Sequence, residues 1–228
     1  MSGDFKHALS GQFARVGKAL SNANRLELLE YLAQGDRSVE ELARVSGLAV
    51  ANTSQHLQQL RQAGLVTTRK EGLYVYYRVA GDEVIRLLEA VRAVAERNLA
   101  EVGQLIAINL ASRDQADPLA AEELLSRARE GDVTVLDVRP EEEFAAGHLP
   151  GAVNVPLGEL ESYLEGLSHE QEVVAYCRGP YCMLAYEAVA RLRERGYRAR
   201  RLEYGYPEWK LEGYPVEGEA FRGDVEEE

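Results

Sequence analysis

Two cysteines, Cys177 and Cys182, are the whole thiol complement of this 228-residue chain, and they stand in one stretch, Tyr176-Cys177-Arg178-Gly179-Pro180-Tyr181-Cys182-Met183. The apolar run at 173–176 predicts a buried strand, and the periodic apolar residues from Met183 to Leu192 predict a helix, so Cys177 is expected where a strand turns into a helix N-terminus. Unpaired backbone N–H groups and the positive end of the helix dipole favour thiolate over thiol at such a place. Cys177 is therefore a candidate nucleophile near neutral pH. Two thiols in one loop do not make a disulfide framework, and in a reducing compartment the expected roles are catalysis or redox sensing.

The rest of the chain has to position that loop. A length of 228 residues with 46% hydrophobic and 28% charged residues fits a two-domain globular protein. Residues 1–10 lack the basic start and apolar core of a signal peptide, and charges interrupt every apolar stretch before it could span a bilayer, so a cytoplasmic protein with no membrane partner is expected. The formal charge of −12 is unevenly spread: residues 1–112 carry 13 Lys/Arg against 12 Asp/Glu, residues 113–228 carry 13 against 26. Within 50–80, Arg61, Arg69, Lys70 and Arg78 face only Glu71. Charge thus permits double-stranded DNA as a partner in the first half alone.

Helical patterns cover 13–20 and the leucine-rich segment with Leu26, Leu28, Leu29 and Leu32, separated by the Ser21–Asn24 cluster. Ser38 with Glu41 three residues on is a capping-box signature for a helix at 39–45, closed by Gly47. A further helix at 50–63 ends at Gly64. Two helices joined by a short Gly-containing turn make a helix-turn-helix whose second helix enters the major groove. Its outward face would carry Asn52, Ser54, Gln55, Gln58 and Gln59, amides and hydroxyls suited to base edges and phosphates; alone, such a face equally fits plain solvation. The β-prone runs 65–70 and 74–79 bracket Glu71 and Gly72 as a hairpin, which completes a winged helix.

Asn24, Arg25, Leu26, Leu28 and Leu29, the Ser46-Gly47-Leu48 turn, and Gln55, His56, Leu57, Leu60, Arg61, Ala63, Gly64, Leu65 and Val66 resemble the ArsR/SmtB repressor family over roughly residues 10–110. The resemblance implies that Arg61, Arg69 and Lys70 lie near phosphates, that the polar face of the 50–63 helix lies in the groove, and that the protein is a homodimer built on its first and last helices. His56 either touches DNA or packs and caps its helix. Metal-sensing members use cysteines near the helix before the recognition helix, or His and Asp on the terminal helix. Here Ala43, Arg44 and Val45 stand at the first place and no histidine at the second, so neither a metal site nor a cofactor is expected. The apolar stripe at 82–110 predicts one helix of about 45 Å, too long for its own domain and suited to a second subunit. Asn98 in that stripe either fixes register or faces solvent.

The polar, proline-ended segment 112–118 is the expected linker between a first domain at 1–111 and a second at 119–222. Beyond it, helices near 120–129, 141–145, 158–164 and 183–195 alternate with strands at 133–138, 153, 173–176 and 199–202, the order of an α/β parallel sheet covered on both faces. Asp137-Val138-Arg139, then Glu143, Phe144, Gly147, His148, Leu149, Gly151, Ala152, Asn154 and Pro156, and finally Gly205, Trp209, Gly213, Tyr214 and Pro215, resemble the rhodanese domain over roughly 118–217. That likeness implies sulfur transfer. Cys177 would take the sulfane sulfur of thiosulfate, a polysulfide or a persulfide, hold it as a persulfide among the amides of 178–183, and pass it to a thiol acceptor. Asp137 and Arg139 match the pair that braces the family's site, or form a structural ion pair; Arg178 is the nearest cation to greet an anionic donor; His148 stabilises its loop.

Two positions depart from the rhodanese pattern. Sulfurtransferases often carry a cation where Cys182 stands, and the related phosphatases need arginine where Met183 stands, so phosphate-ester hydrolysis is disfavoured. Cys182 is either a resolving thiol that attacks a modified Cys177 and closes a disulfide, or a packed residue at the helix start. The reading that joins both halves is a dimeric DNA-binding transcriptional regulator whose rhodanese domain senses or transfers reactive sulfur through Cys177. The enzyme alternative is a sulfurtransferase tethered to DNA; a third is a module that docks a protein with Cys177 idle.

Overall fold

The computed structural model describes residues 2–111, 113, 114, 116–164 and 166–218. Ser112 and Gln115 of the expected linker, and positions 219–222 of the expected second domain, lie outside them. The chain divides into two compact units, Met1–Arg92 and Ala93–Glu228.

In the first unit, α1 (Ser2–Leu20), α2 (Ala23–Leu32), α3 (Val39–Ser46) and α4 (Val50–Gln62) accompany a three-stranded antiparallel sheet of β1 (Arg37–Ser38), β2 (Val66–Glu71) and β3 (Tyr74–Val79), ordered β1-β3-β2. Asn22 caps α2 by accepting from the Arg25 N–H at 3.2 Å. The capping box forms as expected: the Ser38 hydroxyl accepts from the Glu41 N–H and the Glu41 carboxylate accepts from the Ser38 N–H. Gly47 then closes α3 at a φ of 70°, the left-handed conformation that favours glycine. Leu28, Leu29 and Leu32 of α2, Leu42 of α3, and Leu57 and Leu60 of α4 meet in one core with Tyr77 of β3. This joins the helix-turn-helix to its wing. The wing turns at Gly72 and Leu73, between the paired Glu71 and Tyr74, with Gly72 at a positive φ.

The expected helix at 82–110 is not continuous. It is made of α5 (Asp82–Asn98), α6 (Ala100–Ile106) and a π-helical turn (Ala107–Ala111), with Leu99 between the first two in an extended conformation. The Asn98 side chain donates back to the Val94 carbonyl at 2.7 Å, a local bond of the kind that competes with helix continuation. That bond is how Asn98 is used, and the expected single rod is thereby corrected. The boundary between the units falls inside α5, whose Val84 and Leu88 are buried in the first core while Val94 is exposed.

The second unit continues with α7 (Ala121–Glu130), β4 (Val133–Asp137), α8 (Glu141–Ala146), β5 (Val153–Asn154), α9 (Leu160–Leu164), β6 (Glu172–Tyr176), α10 (Met183–Glu194), β7 (Ala199–Arg201) and α11 (Tyr206–Leu211). Its strands form a parallel sheet in the order β5-β4-β6-β7. Side chains alternate across the sheet as strand geometry requires. Val173, Ala175 and Cys177 pack with residues of α9 and α10, while Val174 and Tyr176 pack with Leu124 of α7 and Trp209 of α11. Cys177 therefore extends the inward register of β6 toward α10. Among the described residues no helix is long and apolar enough to cross a membrane.

Candidate functional site

The thiol loop begins where β6 ends and finishes where α10 starts. Cys177 is buried with 2% exposure, Cys182 is half-buried, and the two are joined in a disulfide with a Cα–Cα distance of 6.1 Å. That separation lies in the ordinary range for a bridge. Cys182, not Cys177, is the N-cap of α10. The helix dipole therefore acts first on Cys182, because the turn at 179–182 stands between Cys177 and the helix. In that turn the Cys182 N–H donates to the Gly179 carbonyl at 3.1 Å, which removes one amide from the ring expected around a persulfide.

Three further contacts shape the loop. The Tyr206 N–H donates to the Cys177 carbonyl at 3.1 Å, and the Tyr186 hydroxyl donates to the Pro180 carbonyl at 3.3 Å. Gly205 lies so close that a Cβ there would sit 2.3 Å from the Gly179 nitrogen. Glycine at 205 is thus required by the approach of two backbones. The sequence marks Gly205 only as part of a motif, with no sign that its neighbour is the thiol loop.

The charged residues expected in the site are all paired. Arg139 and Asp137 are fully buried, with Arg139 Nη2 at 2.6 Å from Asp137 Oδ2 and at 2.7 Å from the Gly147 carbonyl. The guanidinium also lies 4.5 Å from the Tyr206 ring and 5.6 Å from the Tyr176 ring. Burial alone would lower the Arg139 pKa, but the hydrogen bond and field of Asp137 outweigh it and hold the group above its ordinary value. Burial, reinforced by Asp137, pushes the Tyr176 hydroxyl well up, so it stays protonated and accepts from the Leu149 N–H at 3.1 Å. Asp137 and Arg139 thus form a buried ion pair beside Tyr176, the last residue of β6.

Arg178, expected to greet an anionic donor, is instead bound by Glu143 of α8. Its Nε lies 3.0 and 2.8 Å from the two carboxylate oxygens and its Nη2 2.9 Å from the first, while Glu143 is 1% exposed. In the sequence Glu143 is the third of three glutamates in a row, which hides its singular role. His148 stacks on Phe144 and bonds its carbonyl through Nδ1, and its backbone bridges to Glu217, the loop-stabilising part expected of it.

A second cluster escaped the sequence reading. The Asp114 carboxylate, almost fully buried, accepts from Arg193 Nη1 at 2.6 Å, Arg201 Nε at 2.7 Å and the Ala116 N–H at 3.1 Å. Burial raises its pKa, but Arg201, the Ala116 amide and Arg193 together hold it below the usual aspartate value. Arg113 pairs with Glu187 of α10, and Arg201 lies 3.8 Å over the Tyr186 ring. Residues 113–114 are thereby tied to α10 and β7.

On the first unit, Asn52, Gln55, Gln58, Arg61 and Lys70 are exposed, and Ser54, His56 and Arg69 are half-buried. Gln59 accepts from Arg25 Nη1 at 2.7 Å, and Arg25 also bonds the carbonyls of Lys18 and Ala19, so Gln59 fixes α4 to the preceding helices. Arg69 pairs with Glu71 at 2.8 Å and with Asp36 at 3.6 Å. His56 has a buried Nδ1 with no hydrogen-bond partner among the described residues.

Two family profiles match the chain: "Bacterial regulatory protein, arsR family" over residues 22–68 and "Rhodanese-like domain" over 120–212. The HTH-type transcriptional regulator Rv0324 of Mycobacterium tuberculosis is 47% identical over 214 residues, covering 94% of each chain. The biofilm growth-associated repressor of Agrobacterium fabrum is 43% identical over 77 residues, 34% of this chain and 66% of that protein. Among solved structures, the homodimeric winged helix-turn-helix domain of a possible ArsR-family regulator from Mycobacterium bovis is 49% identical, covering 41% of this chain and 87% of its own, with a TM-score of 0.39.

Proposed function

Because the chain belongs to the ArsR family of bacterial transcriptional regulators and carries a C-terminal rhodanese-like domain, we propose that its thiol loop is the sensor and reactive sulfur the signal. The observation that carries this reading is the bond between Cys177 at the end of β6 and Cys182 at the N-cap of α10. The loop closes on itself within the domain that would meet the donor.

The chemistry balances without any bound group. The Cys177 thiolate attacks the terminal sulfur of a persulfide R–S–SH, forming Cys177–S–SH and expelling RS⁻. The Cys182 thiolate then attacks Sγ of Cys177, forming the disulfide and expelling HS⁻. Two thiols are oxidised, one sulfane sulfur is reduced to sulfide, and the two thiol protons end on RSH and H₂S. A resolving thiol ends the event after one round, which suits a signal better than repeated transfer.

The route outward is α10. Its N-cap is Cys182, its Glu187 meets Arg113, and its Arg193 grips Asp114, three residues beyond the π-helical turn Ala107–Ala111. A change at one end of a packed helix is transmitted to the other only if the helix has two arrangements, and this is what the proposal requires of α10. Asn52, Gln55, Gln58, Arg61 and Lys70 supply the DNA-facing surface, joined by Ser54, His56 and Arg69 if the Arg69 ion pairs exchange for phosphate. The exposed Phe5 and Phe13 of α1, and separately Leu105 and Ile108 of the later helical segments, are apolar surface of the kind a second copy covers.

The test is mass spectrometry of thiol-blocked protein after exposure to a persulfide donor, with released sulfide measured in parallel. The expected result is a Cys177 persulfide that converts to the Cys177–Cys182 disulfide with one sulfide per chain; in Cys182→Ser the persulfide persists. Continued sulfide release over many equivalents would instead make the domain an enzyme. No adduct at Cys177 would sink the sensing proposal.

A further inference from the structure

The single charged side chain within the loop 177–182 is Arg178, and a carboxylate with 1% exposure holds it in a two-oxygen clasp. Arg139, over the Tyr176 ring, is likewise matched by Asp137, and Arg201, over the Tyr186 ring, by Asp114. Each pair has no net charge, and Cys182 stands where the rhodanese resemblance leads one to expect a cation. Beyond the loop, Glu141 and Glu142 precede Glu143 at the exposed start of α8, in a half of the chain with twice as many acidic as basic residues. A doubly charged donor would meet a compensated site flanked by the exposed Glu141 and Glu142 at the start of α8.

We infer that the Glu143–Arg178 pair sets the donor class, admitting low-charge sulfane sulfur such as alkyl persulfides and hydrogen polysulfides and rejecting the thiosulfate dianion. This rests on the reading of Cys177 as the sulfur acceptor. Both donors deliver the same atom: thiosulfate would expel sulfite as the Cys177–S bond forms, a persulfide would expel a thiolate. They differ in charge. Glu143 touches neither the sulfur nor the donor and acts by holding the Arg178 charge, so it is a positioning residue. A purely mechanical brace between α8 and the loop would affect all donors alike.

The experiment measures second-order rates of Cys177 persulfidation by cysteine persulfide and by thiosulfate, in full-length wild-type protein and in Glu143→Gln, each at low and high ionic strength. Wild-type protein is expected to react with the persulfide at least tenfold faster after correction for each donor's rate with a free thiol. Its thiosulfate rate should rise with salt as repulsion is screened. Glu143→Gln releases the Arg178 charge, and the persulfide-to-thiosulfate ratio is expected to fall roughly tenfold, the order for a unit cation about 5 Å from a dianion at water-like screening. Adding Arg178→Gln should restore the ratio. The inference is overturned if wild-type protein shows no preference, or if Glu143→Gln changes both rates in proportion. Should the variant misfold, the wild-type donor preference and its salt dependence decide alone. If neither donor modifies wild-type Cys177, the sensing reading itself has failed, a result distinct from lost selectivity.

Discussion

Replacing Asp114 by Asn tests whether the segment after the helical region is locked to the rhodanese-like fold. Asp114 accepts two charge-assisted hydrogen bonds, from Arg193 at 2.6 Å and Arg201 at 2.7 Å, while its side chain is 1% exposed. A hydrogen bond to a charged group contributes about 1.5–3 kcal/mol, and removing one member of a buried pair leaves the others uncompensated. Asn keeps one acceptor and Arg193 is a third exposed, so the expected loss is about 2–3 kcal/mol rather than the full sum. In thermal unfolding that corresponds to a fall in Tm of roughly 5–10 °C. The folded-state pKa of Asp114 is depressed below the ordinary 3.8. Its contribution is therefore present above about pH 4 and lost as pH falls through the folded-state value. The gap in Tm between wild type and Asp114→Asn should be full at pH 7 and shrink below pH 4. A loss under about 0.5 kcal/mol at pH 7, or a gap that does not shrink in acid, would refute the clamp.

Gly205→Ala places a Cβ 2.3 Å from the Gly179 nitrogen, so the thiol loop must shift; a loss of about 1–3 kcal/mol and slower closure of the Cys177–Cys182 bond are expected, measured by denaturation and thiol trapping. Ser38→Ala removes the acceptor for the Glu41 N–H and should cost about 1 kcal/mol, read as a shift in denaturation midpoint. Arg61→Gln should weaken DNA binding across sequences and reduce the salt slope by about 0.9 if Arg61 meets one phosphate.

Local chemistry was legible. Ser38 with Glu41, Gly47 and the apolar run of β6 state their roles within a few positions, because caps, left-handed turns and buried strands are decided by near neighbours. The placement of the two cysteines between a strand and a helix was legible for the same reason. What was not legible depends on partners distant in sequence. Gln59 is exposed, as the row of outward amides predicts, but nothing local in the sequence signals its bond from Arg25, 34 positions away. Arg178 looks like a free anion receptor until Glu143 is found 35 positions away. Asp114 sat in a polar segment read as linker, and only the fold brings Arg193 and Arg201 to it. The stripe at 82–110 has helical periodicity throughout, but periodicity does not register the local bond from Asn98 to Val94 at the break. The extension of α1 back to Ser2 carries the Phe13, Val16 and Leu20 stripe on through Leu9 and Phe5, a signal present in the sequence that the expected helix at 13–20 leaves out.

The central claim is that the state of the Cys177–Cys182 pair governs DNA binding. The direct measurement is a DNA-binding titration of full-length protein in its reduced, persulfidated and disulfide forms, using a site selected from a random pool by the reduced protein. The account predicts affinities that differ at least tenfold between reduced and disulfide protein, about 1.4 kcal/mol of coupling, with Cys177→Ser fixed at one value under every treatment. Equal affinities for all forms of the wild-type protein would contradict it.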